Sequence, residues 1–199
     1  MWHFPKDKIE LMFLCDFADY TVIIGNGGIH MGISDNKTED MVFLKMPENF
    51  EEFLALSQAK LSTPFETAAL TVLALCYYPN DFELFKKMYE YVSGPRQISQ
   101  MEYQFLKDRF KDADYVARSY FKGAVPDNDY KPSEPYTITV SENPYTYANE
   151  GYAKMFMSSG GADSPRSVLL RKGKDGKWYL WEQFVLVGIR SPESTNPWA

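Results

Sequence analysis

Residues 62–80 read STPFETAALTVLALCYYPN, and this stretch decides the fold that the sequence predicts. Thr63 and Glu66 have the spacing of a helix capping box, and the proline between them suits the first helical position. Residues 68–76 follow as an almost entirely apolar run. A helix that is apolar on all sides is buried in a protein core, and this one is too short to span a bilayer. We therefore predict a central core helix over residues 63–78.

Helix signals continue on both sides of this stretch, over residues 47–123. The first apolar stripe consists of Phe50, Phe53, Leu54 and Leu61. A capping pattern at Asn80 then opens a second stripe, which ends at Gly94 and consists of Phe82, Phe85, Tyr89 and Val92. A third capping pattern at Ser99 opens a helix whose predicted inward side chains are Met101, Phe105 and Leu106. These patterns predict a helical block.

β-strands are predicted on either side of the helical block. Near the N-terminus, Asn26-Gly27 separates two runs rich in β-branched residues, which is a strong signal for a hairpin with a type I′ turn. Residues 35–40 are predicted to form a polar turn and residues 41–45 a third strand. Beyond a proline-rich linker, the patterns predict C-terminal strands at 136–140, 152–157, 167–171 and 177–189, the last one long or bent.

Together these elements predict an α+β fold with an N-terminal β-hairpin, a central helical block and a C-terminal antiparallel sheet. A chain of 199 residues fits a single domain. Within one domain of residues 1–199 we assign residues 1–46 to the hairpin region, 47–123 to the helical block and 136–190 to the sheet.

The composition narrows the class of partner. The chain carries 27 acidic and 21 basic residues, a formal net charge of −6, which argues against nucleic acid or an anionic membrane. It has no apolar run of transmembrane length, and its start lacks a signal-peptide pattern, so we predict a cytoplasmic protein. Cys15 and Cys76 lie in apolar runs and are predicted to be buried, reduced thiols. A disulfide between them is the alternative.

Motifs of known chemistry are sparse. The segment GNGGIH at residues 25–30 lacks the spacing of a dinucleotide-binding loop and the Walker lysine, and it is interpreted as a hairpin turn. The sequence has no GxSxG, CxxC or HExxH pattern and only 2 histidines. Paired aspartates at 112 and 114, and at 127 and 129, are interpreted as solvated loop residues. We therefore predict no catalytic residue, no metal and no cofactor.

The strongest candidate for a binding site is the loop between the second and third C-terminal strands. It is polar and longer than a turn needs, and its candidate binding residues are Ser159, Gly160, Gly161, Asp163, Ser164 and Arg166. Arg166 could clamp a carboxylate or a phosphate, with Asp163 orienting it. The alternative is a structural loop held by an Asx-turn and an arginine–aspartate pair.

Further arginines follow turn residues, at Arg96, Arg118 and Arg190. One interpretation is an anion site gathered from several loops. We favour the other interpretation, in which these side chains cap helix carbonyls and form surface ion pairs.

Several long segments resemble a known family. These are LSTPFETAALTVLALCYYPND, SGPRQIS, SEPYTITVSENPYTYANEGYAKMFMSSGGADSPRSVLLRKGKDGKWYLWE and GIRSPESTNPWA. They are similar to an uncharacterised family of bacterial, mainly Firmicute, proteins of unknown function, over about residues 50–199. That resemblance implies no catalytic residue, substrate or cofactor. In shape, the final strands also resemble the sheet of cystatin-like or NTF2-like proteins, which concerns the fold alone.

Two functions compete on this basis. We favour a binding or protein-interaction module without catalytic activity, whose partner is a protein or a small molecule and neither nucleic acid nor membrane. The alternative is a small hydrolase or transferase that acts on an anionic substrate through Asp163 or His30. The alternative requires His30, Asp163 and an arginine to converge in one pocket.

Overall fold

The computed structural model describes residues 20–25, 28–33 and 36–195 of the chain. Residue contacts divide the chain into a unit of residues 1–35 and a unit of residues 36–199. The strands and α-helices are β1 (Tyr20–Gly25), β2 (Gly28–Ile33), β3 (Thr38–Phe43), α1 (Phe50–Ala55), α2 (Pro64–Leu75), α3 (Phe82–Ser93), α4 (Gln100–Phe110), β4 (Tyr136–Ser141), β5 (Tyr152–Met157), β6 (Arg166–Lys172) and β7 (Trp178–Gln183). The predicted α+β class is confirmed, whereas the assignment of residues 1–199 to a single domain stays a prediction.

The first unit contains the predicted hairpin. β1 pairs antiparallel with β2, with Tyr20 opposite Ile33 and Gly25 opposite Gly28. This register leaves a two-residue connection, as the Asn-Gly signal predicts. The two turn residues themselves lie outside the described part of the chain.

The second unit is built on one antiparallel sheet, in which β3 to β7 follow one another in chain order. β3 begins earlier than predicted, because Thr38 already lies opposite Ser141. The predicted polar turn at residues 35–40 is therefore wrong from residue 38 onward. The strand is polar there because it is an edge strand, and Thr139 Oγ1 donates to the Asp40 carboxylate at 2.7 Å across the pair.

The last strand ends sooner than predicted. β7 stops at Gln183, so the predicted long or bent strand over residues 177–189 is wrong beyond that point. The apolar residues that suggested a strand are nevertheless buried, since Val185 and Leu186 belong to the core. Tyr120 donates its hydroxyl to the Val185 carbonyl at 2.6 Å, which satisfies a backbone group without a ladder partner.

Helix α2 is the core helix that the sequence predicts. The Thr63 hydroxyl accepts the Glu66 N–H while the Glu66 carboxylate accepts the Thr63 N–H, which completes the capping box. Every residue of α2 except Glu66 is buried, and α2 packs on the inner face of the sheet. In the part of the chain that the structure describes, no helix has the length and apolar character to cross a membrane.

The N-terminal turn of α2 is joined to the edge of the sheet. Thr67 Oγ1 donates to the Trp178 carbonyl at 2.9 Å, and the Trp178 N–H donates to the Leu61 carbonyl at 2.9 Å. The backbone N–H and C=O of Trp178 therefore point away from β6, toward the edge of the sheet where no further strand is paired with β7 among the described residues. The core helix thus occupies hydrogen-bonding positions that a further strand would take.

The other helices differ from the prediction in detail. Asn49 caps α1, which ends after one and a half turns at Leu56, so the predicted stripe from Phe50 to Leu61 is broken and Leu54 is exposed. Asp81, one residue beyond the predicted cap, opens α3. Three further side chains predicted to face inward, those of Phe82, Met101 and Phe105, are exposed or only partly buried.

Met101 is the clearest of these errors. It is 82% exposed, whereas Leu106 on the same helix is fully buried. α4 turns a narrow stripe toward the core, and Met101 lies in its first turn, outside that stripe. Phe82 at the start of α3 is likewise exposed, and Phe105 is only partly buried.

Buried and partly buried tyrosines attach irregular segments to the core. In each case the hydroxyl donates to a backbone carbonyl of a loop, and the pairs are Tyr77 with Pro47, Tyr91 with Ala59, Tyr120 with Val185 and Tyr130 with Arg190. Burial raises the pKa of Tyr130 to about 12 and shifts the pKa of Tyr77 and Tyr120 in the same direction. The hydroxyls of Tyr77, Tyr120 and Tyr130 therefore stay protonated in the folded protein, where they keep their loops in place.

We predict that Leu73→Ala lowers the free energy of unfolding by about 2–5 kcal/mol, because Leu73 is fully buried in α2 and its truncation leaves a cavity. The matched control is Leu44→Ala, since Leu44 is 86% exposed and should change stability by less than about 0.5 kcal/mol. Urea unfolding of both variants checks this. A loss under about 1 kcal/mol for Leu73→Ala would show that α2 is not the core.

We also predict alkaline destabilisation. The pKa values of Tyr77, Tyr120 and Tyr130 are higher in the folded than in the unfolded state, so the contribution of these tyrosines is complete below pH 10 and is progressively lost as pH rises from about 10 toward 12 and above. Each such tyrosine lowers the free energy of unfolding by up to about 1.4 kcal/mol per pH unit in that window. Urea unfolding at pH 8, 10 and 11 measures the slope. Tyr130→Phe should be less stable at pH 8 but less sensitive to pH, and an unchanged slope in that variant would contradict the assignment.

Candidate functional site

The predicted binding loop is fastened to the protein by Arg166. Its Nε donates to the Val187 carbonyl at 2.9 Å, and its two terminal nitrogens donate to the Ser164 carbonyl at 2.9 Å and the Gly188 carbonyl at 3.0 Å. The Ser164 hydroxyl accepts a further bond. The guanidinium therefore donates to backbone carbonyls of its own loop and of the segment after β7.

The two glycines of the loop are explained by close packing. A Cβ at Gly160 would lie 2.0 Å from the Ala124 carbonyl oxygen, and a Cβ at Gly161 would lie 2.1 Å from the Tyr130 hydroxyl. Ser159 is buried, and its hydroxyl donates to Ser119 Oγ at 2.7 Å. The extra length of the loop thus serves to anchor it against residues 119–130.

Asp163 does not orient Arg166, which corrects the predicted pair. Its carboxylate accepts from Arg190 at 2.7 Å, in an ion pair whose side chains are 92% and 59% exposed. The structure therefore brings Ser159, Gly160, Gly161 and Arg166 together as structural contacts, while Asp163 and Ser164 lie at the surface. A binding role for this loop stays a prediction.

The remaining arginines of the turn pattern form local pairs. Arg118 contacts Asp114 at 3.2 Å and Arg190 contacts Asp163. Arg96 forms the shortest pair of the three, at 2.6 Å from Glu102. Surface pairing, part of the interpretation favoured from the sequence, describes Arg118 and Arg190, whereas the Arg96 pair is largely buried, with side chains 18% and 21% exposed.

Candidate nucleophiles and metal ligands give little support to catalysis. Cys76 is a free thiol, and burial raises its pKa to about 12, which keeps it in the unreactive protonated form. Cys15 and the side chain of His30 lie outside the described part of the chain. Among the described residues, no group of three or more His, Cys, Asp or Glu is placed to hold a metal ion.

A cleft that the sequence did not predict lies between the turn after α3 and the β6–β7 hairpin. Its volume is about 740 Å³. The residues that line it are Ser93, Pro95, Arg96, Arg171, Lys172, Gly173, Lys174, Asp175, Tyr179, Leu180 and Trp181. Cationic and aromatic side chains dominate this lining, and we call it the Arg171 cleft.

Tyr179 forms a fixed wall of the Arg171 cleft. Its ring lies where a Cβ at Gly94 would approach to 2.3 Å and a Cβ at Gly173 to 2.8 Å, so only glycine leaves room for it on both sides. Gly94 also has a positive φ of 59°, which glycine adopts without strain. The Tyr179 hydroxyl donates to Asp175 at 2.6 Å and lowers the pKa of that carboxyl. This bond ties the hairpin turn to its strand.

Arg96 fixes the opposite wall. It forms a bidentate pair with Glu102 at 2.6 and 3.0 Å, and its Nε donates to the Leu180 carbonyl at 3.2 Å. Tyr89, which is fully buried, donates to the same Glu102 carboxylate at 3.1 Å. The Glu102 hydrogen bonds raise the pKa of Arg96. One half-buried network therefore links α3, α4 and the free edge of β7.

Arg171 differs from the paired arginines. Its guanidinium lies 4.8 Å from the Trp181 ring centroid and 5.5 Å from that of Tyr152, and the two rings meet edge to face at 6.1 Å. Neither a carboxylate nor a carbonyl within the described residues engages its N–H groups. Next to it, Lys172 lies 5.7 Å from the Trp178 ring. Both exposed cations thus contact aromatic rings, and within the described residues no acceptor engages their N–H groups.

Sequence reasoning missed this cleft because its walls are far apart in the chain. One signal was present, however. Trp178, Tyr179 and Trp181 place aromatics on both faces of β7, and three lysines surround the Asp175-Gly176 turn. Aromatic rings on the solvent face of a strand are favourable packing surfaces for the side chains of neighbouring lysines and arginines.

The comparisons with known proteins give one result. The family model described as Domain of unknown function (DUF6935) matches residues 45–193, which include every residue that lines the Arg171 cleft. This confirms the resemblance to an uncharacterised family. No curated protein and no solved structure matches the chain.

We predict that Arg166→Ala lowers the free energy of unfolding by about 1–3 kcal/mol, because it removes charge-assisted hydrogen bonds to the part-buried Val187 carbonyl and to two exposed carbonyls. The matched control is Arg190→Ala, whose exposed pair with Asp163 should contribute no more than about 1 kcal/mol. Thermal and urea unfolding check both variants. Equal, near-zero effects would show that Arg166 is free for binding, as the sequence first indicated.

Proposed function

The chain belongs to the family described as Domain of unknown function (DUF6935), and we propose that it is a binding module whose ligand presents an anionic group to the Arg171 cleft. The observation that carries this proposal is the state of Arg171. Its guanidinium lies 4.8 Å from the Trp181 ring centroid and 5.5 Å from that of Tyr152, while its N–H groups contact no protein acceptor among the described residues.

Such an arginine suits the recognition of carboxylate or phosphate. The five donors of a guanidinium match these anions in a bidentate geometry, and stacking on an aromatic face leaves those in-plane donors available. The two rings also restrict the side chain before the ligand arrives, which reduces the entropy that binding must overcome. Arg171 is therefore the main proposed contact.

Charge also favours an anionic ligand. The whole chain has a formal net charge of −6, yet the cleft is lined by Arg96, Arg171, Lys172 and Lys174 against the single carboxylate of Asp175. Glu102 neutralises Arg96 from behind the wall. A cationic cleft on an acidic protein concentrates anions locally and repels them elsewhere.

The alternative function, a small hydrolase or transferase, finds less support at this cleft. Its lining contains no histidine or cysteine. The Asp175 carboxylate already accepts hydrogen bonds from the Tyr179 hydroxyl and the Lys177 N–H, and Ser93 is fully buried. Binding without catalysis is therefore the function that the geometry supports best.

The test is to titrate citrate and, separately, inorganic phosphate at low ionic strength, with intrinsic tryptophan fluorescence and calorimetry as readouts. Arg171→Gln should weaken binding by about tenfold or more, since a charge-assisted bidentate contact contributes about 1.5–3 kcal/mol. Arg109→Gln is the matched control, because Arg109 also stacks on one ring, that of Phe105 at 5.1 Å, but does not line the cleft.

Both variants should keep their stability within about 0.5 kcal/mol of the parent chain. The proposal fails if neither anion binds saturably to the parent chain. It also fails if Arg171→Gln and Arg109→Gln weaken binding equally, because the effect would then be one of total charge.

A further inference from the structure

A second groove adjoins the Arg171 cleft. It has a volume of about 900 Å³ and runs between the segment after α1 and the β6–β7 turn. Its lining consists of Leu54, Ala55, Leu56, Ser57, Ala59, Lys60, Ser62, Tyr91, Asp175, Gly176 and Lys177. Asp175 lines both depressions, so the two lie on either side of one hairpin turn and form a continuous surface.

The second groove, like the Arg171 cleft, is lined by positively charged side chains. Lys60 and Lys177 line it, and neither forms an ion pair within the described residues. Asp175 is the one carboxylate of both linings, and each of its oxygens accepts a hydrogen bond from the turn. Leu54 adds an exposed apolar side chain beside these lysines. Unpaired cations therefore continue past the reach of a ligand seated at Arg171.

We infer that the ligand is an acidic peptide segment of another protein, bound in extended form across the β6–β7 turn. This inference rests on the proposed function. One part of the peptide places a carboxylate at Arg171, and the next part lies in the second groove, where its carboxylates meet Lys60 and Lys177 and an apolar side chain meets Leu54. An extended peptide suits this surface, because its side chains alternate along a rise of about 3.3 Å per residue.

Nucleic acid fits the same cations less well. Single strands bind by stacking bases on free aromatic faces, and here the ring faces are engaged by the protein itself. Arg171 covers Trp181, and Lys172 covers Trp178. The Tyr179 ring is packed against Gly94 and Gly173. A small molecule, in turn, would fill a single depression of this size and leave the second set of lysines unexplained.

The test measures fluorescence anisotropy of a fluorescein-labelled peptide of ten glutamates, with citrate titrations in parallel. Lys60→Gln/Lys177→Gln should weaken peptide binding by about fivefold or more, as expected for the loss of two exposed ion pairs, and should leave citrate binding unchanged. Lys107→Gln/Lys111→Gln is the matched control. It removes the same charge from two exposed lysines at the end of α4, outside both grooves, and should bind both probes as the parent chain does.

The outcomes separate this inference from the proposed function. If the parent chain binds citrate at Arg171 but not the peptide, or if both double variants bind the peptide equally well, the acidic peptide is excluded while the Arg171 cleft remains. Tighter binding of a labelled ten-nucleotide oligo-dT than of the peptide overturns the inference in favour of nucleic acid. Loss of citrate binding in Lys60→Gln/Lys177→Gln also contradicts it, because the two grooves would then be one site.

Discussion

The rest of the second unit depends on how the free edge of β7 is covered. An open strand edge exposes backbone groups that invite pairing with another chain. Here the Trp178 N–H donates to the Leu61 carbonyl, and the Trp178 carbonyl accepts from the Thr67 hydroxyl. Arg96 donates to the Leu180 carbonyl. These contacts hold the core helix, the α3–α4 connection and the sheet in one arrangement. The Arg171 cleft exists because the same contacts stop short of the β6–β7 turn and leave its sides open.

Two arginines near this edge illustrate different uses of one side chain. Arg96 is half-buried and donates to Glu102 and to the Leu180 carbonyl. Its donors therefore stabilise the contact between the α3–α4 connection, α4 and β7. Arg171 is exposed, and within the described residues its guanidinium contacts the Trp181 and Tyr152 rings but no acceptor. An ion pair with good geometry explains structure, whereas a cation without a paired anion leaves its donors available to a ligand, which is the basis of our proposal.

The fold was largely predictable from local patterns, and the candidate site was not. Capping at Thr63 and Ser99, and the apolar run of α2, depend on residues a few positions apart, and the structure confirms them. Met101 and the residues after Gln183 were misjudged because apolar character alone does not reveal which stripe or segment faces the core. Gly160 and Gly161 contributed to the prediction of a binding loop, but only the packed structure shows the neighbours that exclude a Cβ. The cleft joins residues separated by most of the C-terminal half, and the register that places Arg171 opposite both Tyr152 and Tyr179 cannot be read from the sequence pattern.

The pairing of β3 with β4 has a consequence for biosynthesis. Asp40 and Thr139, which bond across these strands, are 99 positions apart, and the whole helical block is made between them. On the ribosome β3 therefore emerges long before β4, the strand with which it pairs, while β4 to β7 emerge close together and can pair locally. Contacts of such high sequence separation slow folding and leave a strand exposed to other nascent chains. The polar first half of β3, which consists of Thr38, Glu39 and Asp40, is suited to keep this segment soluble until the sheet closes.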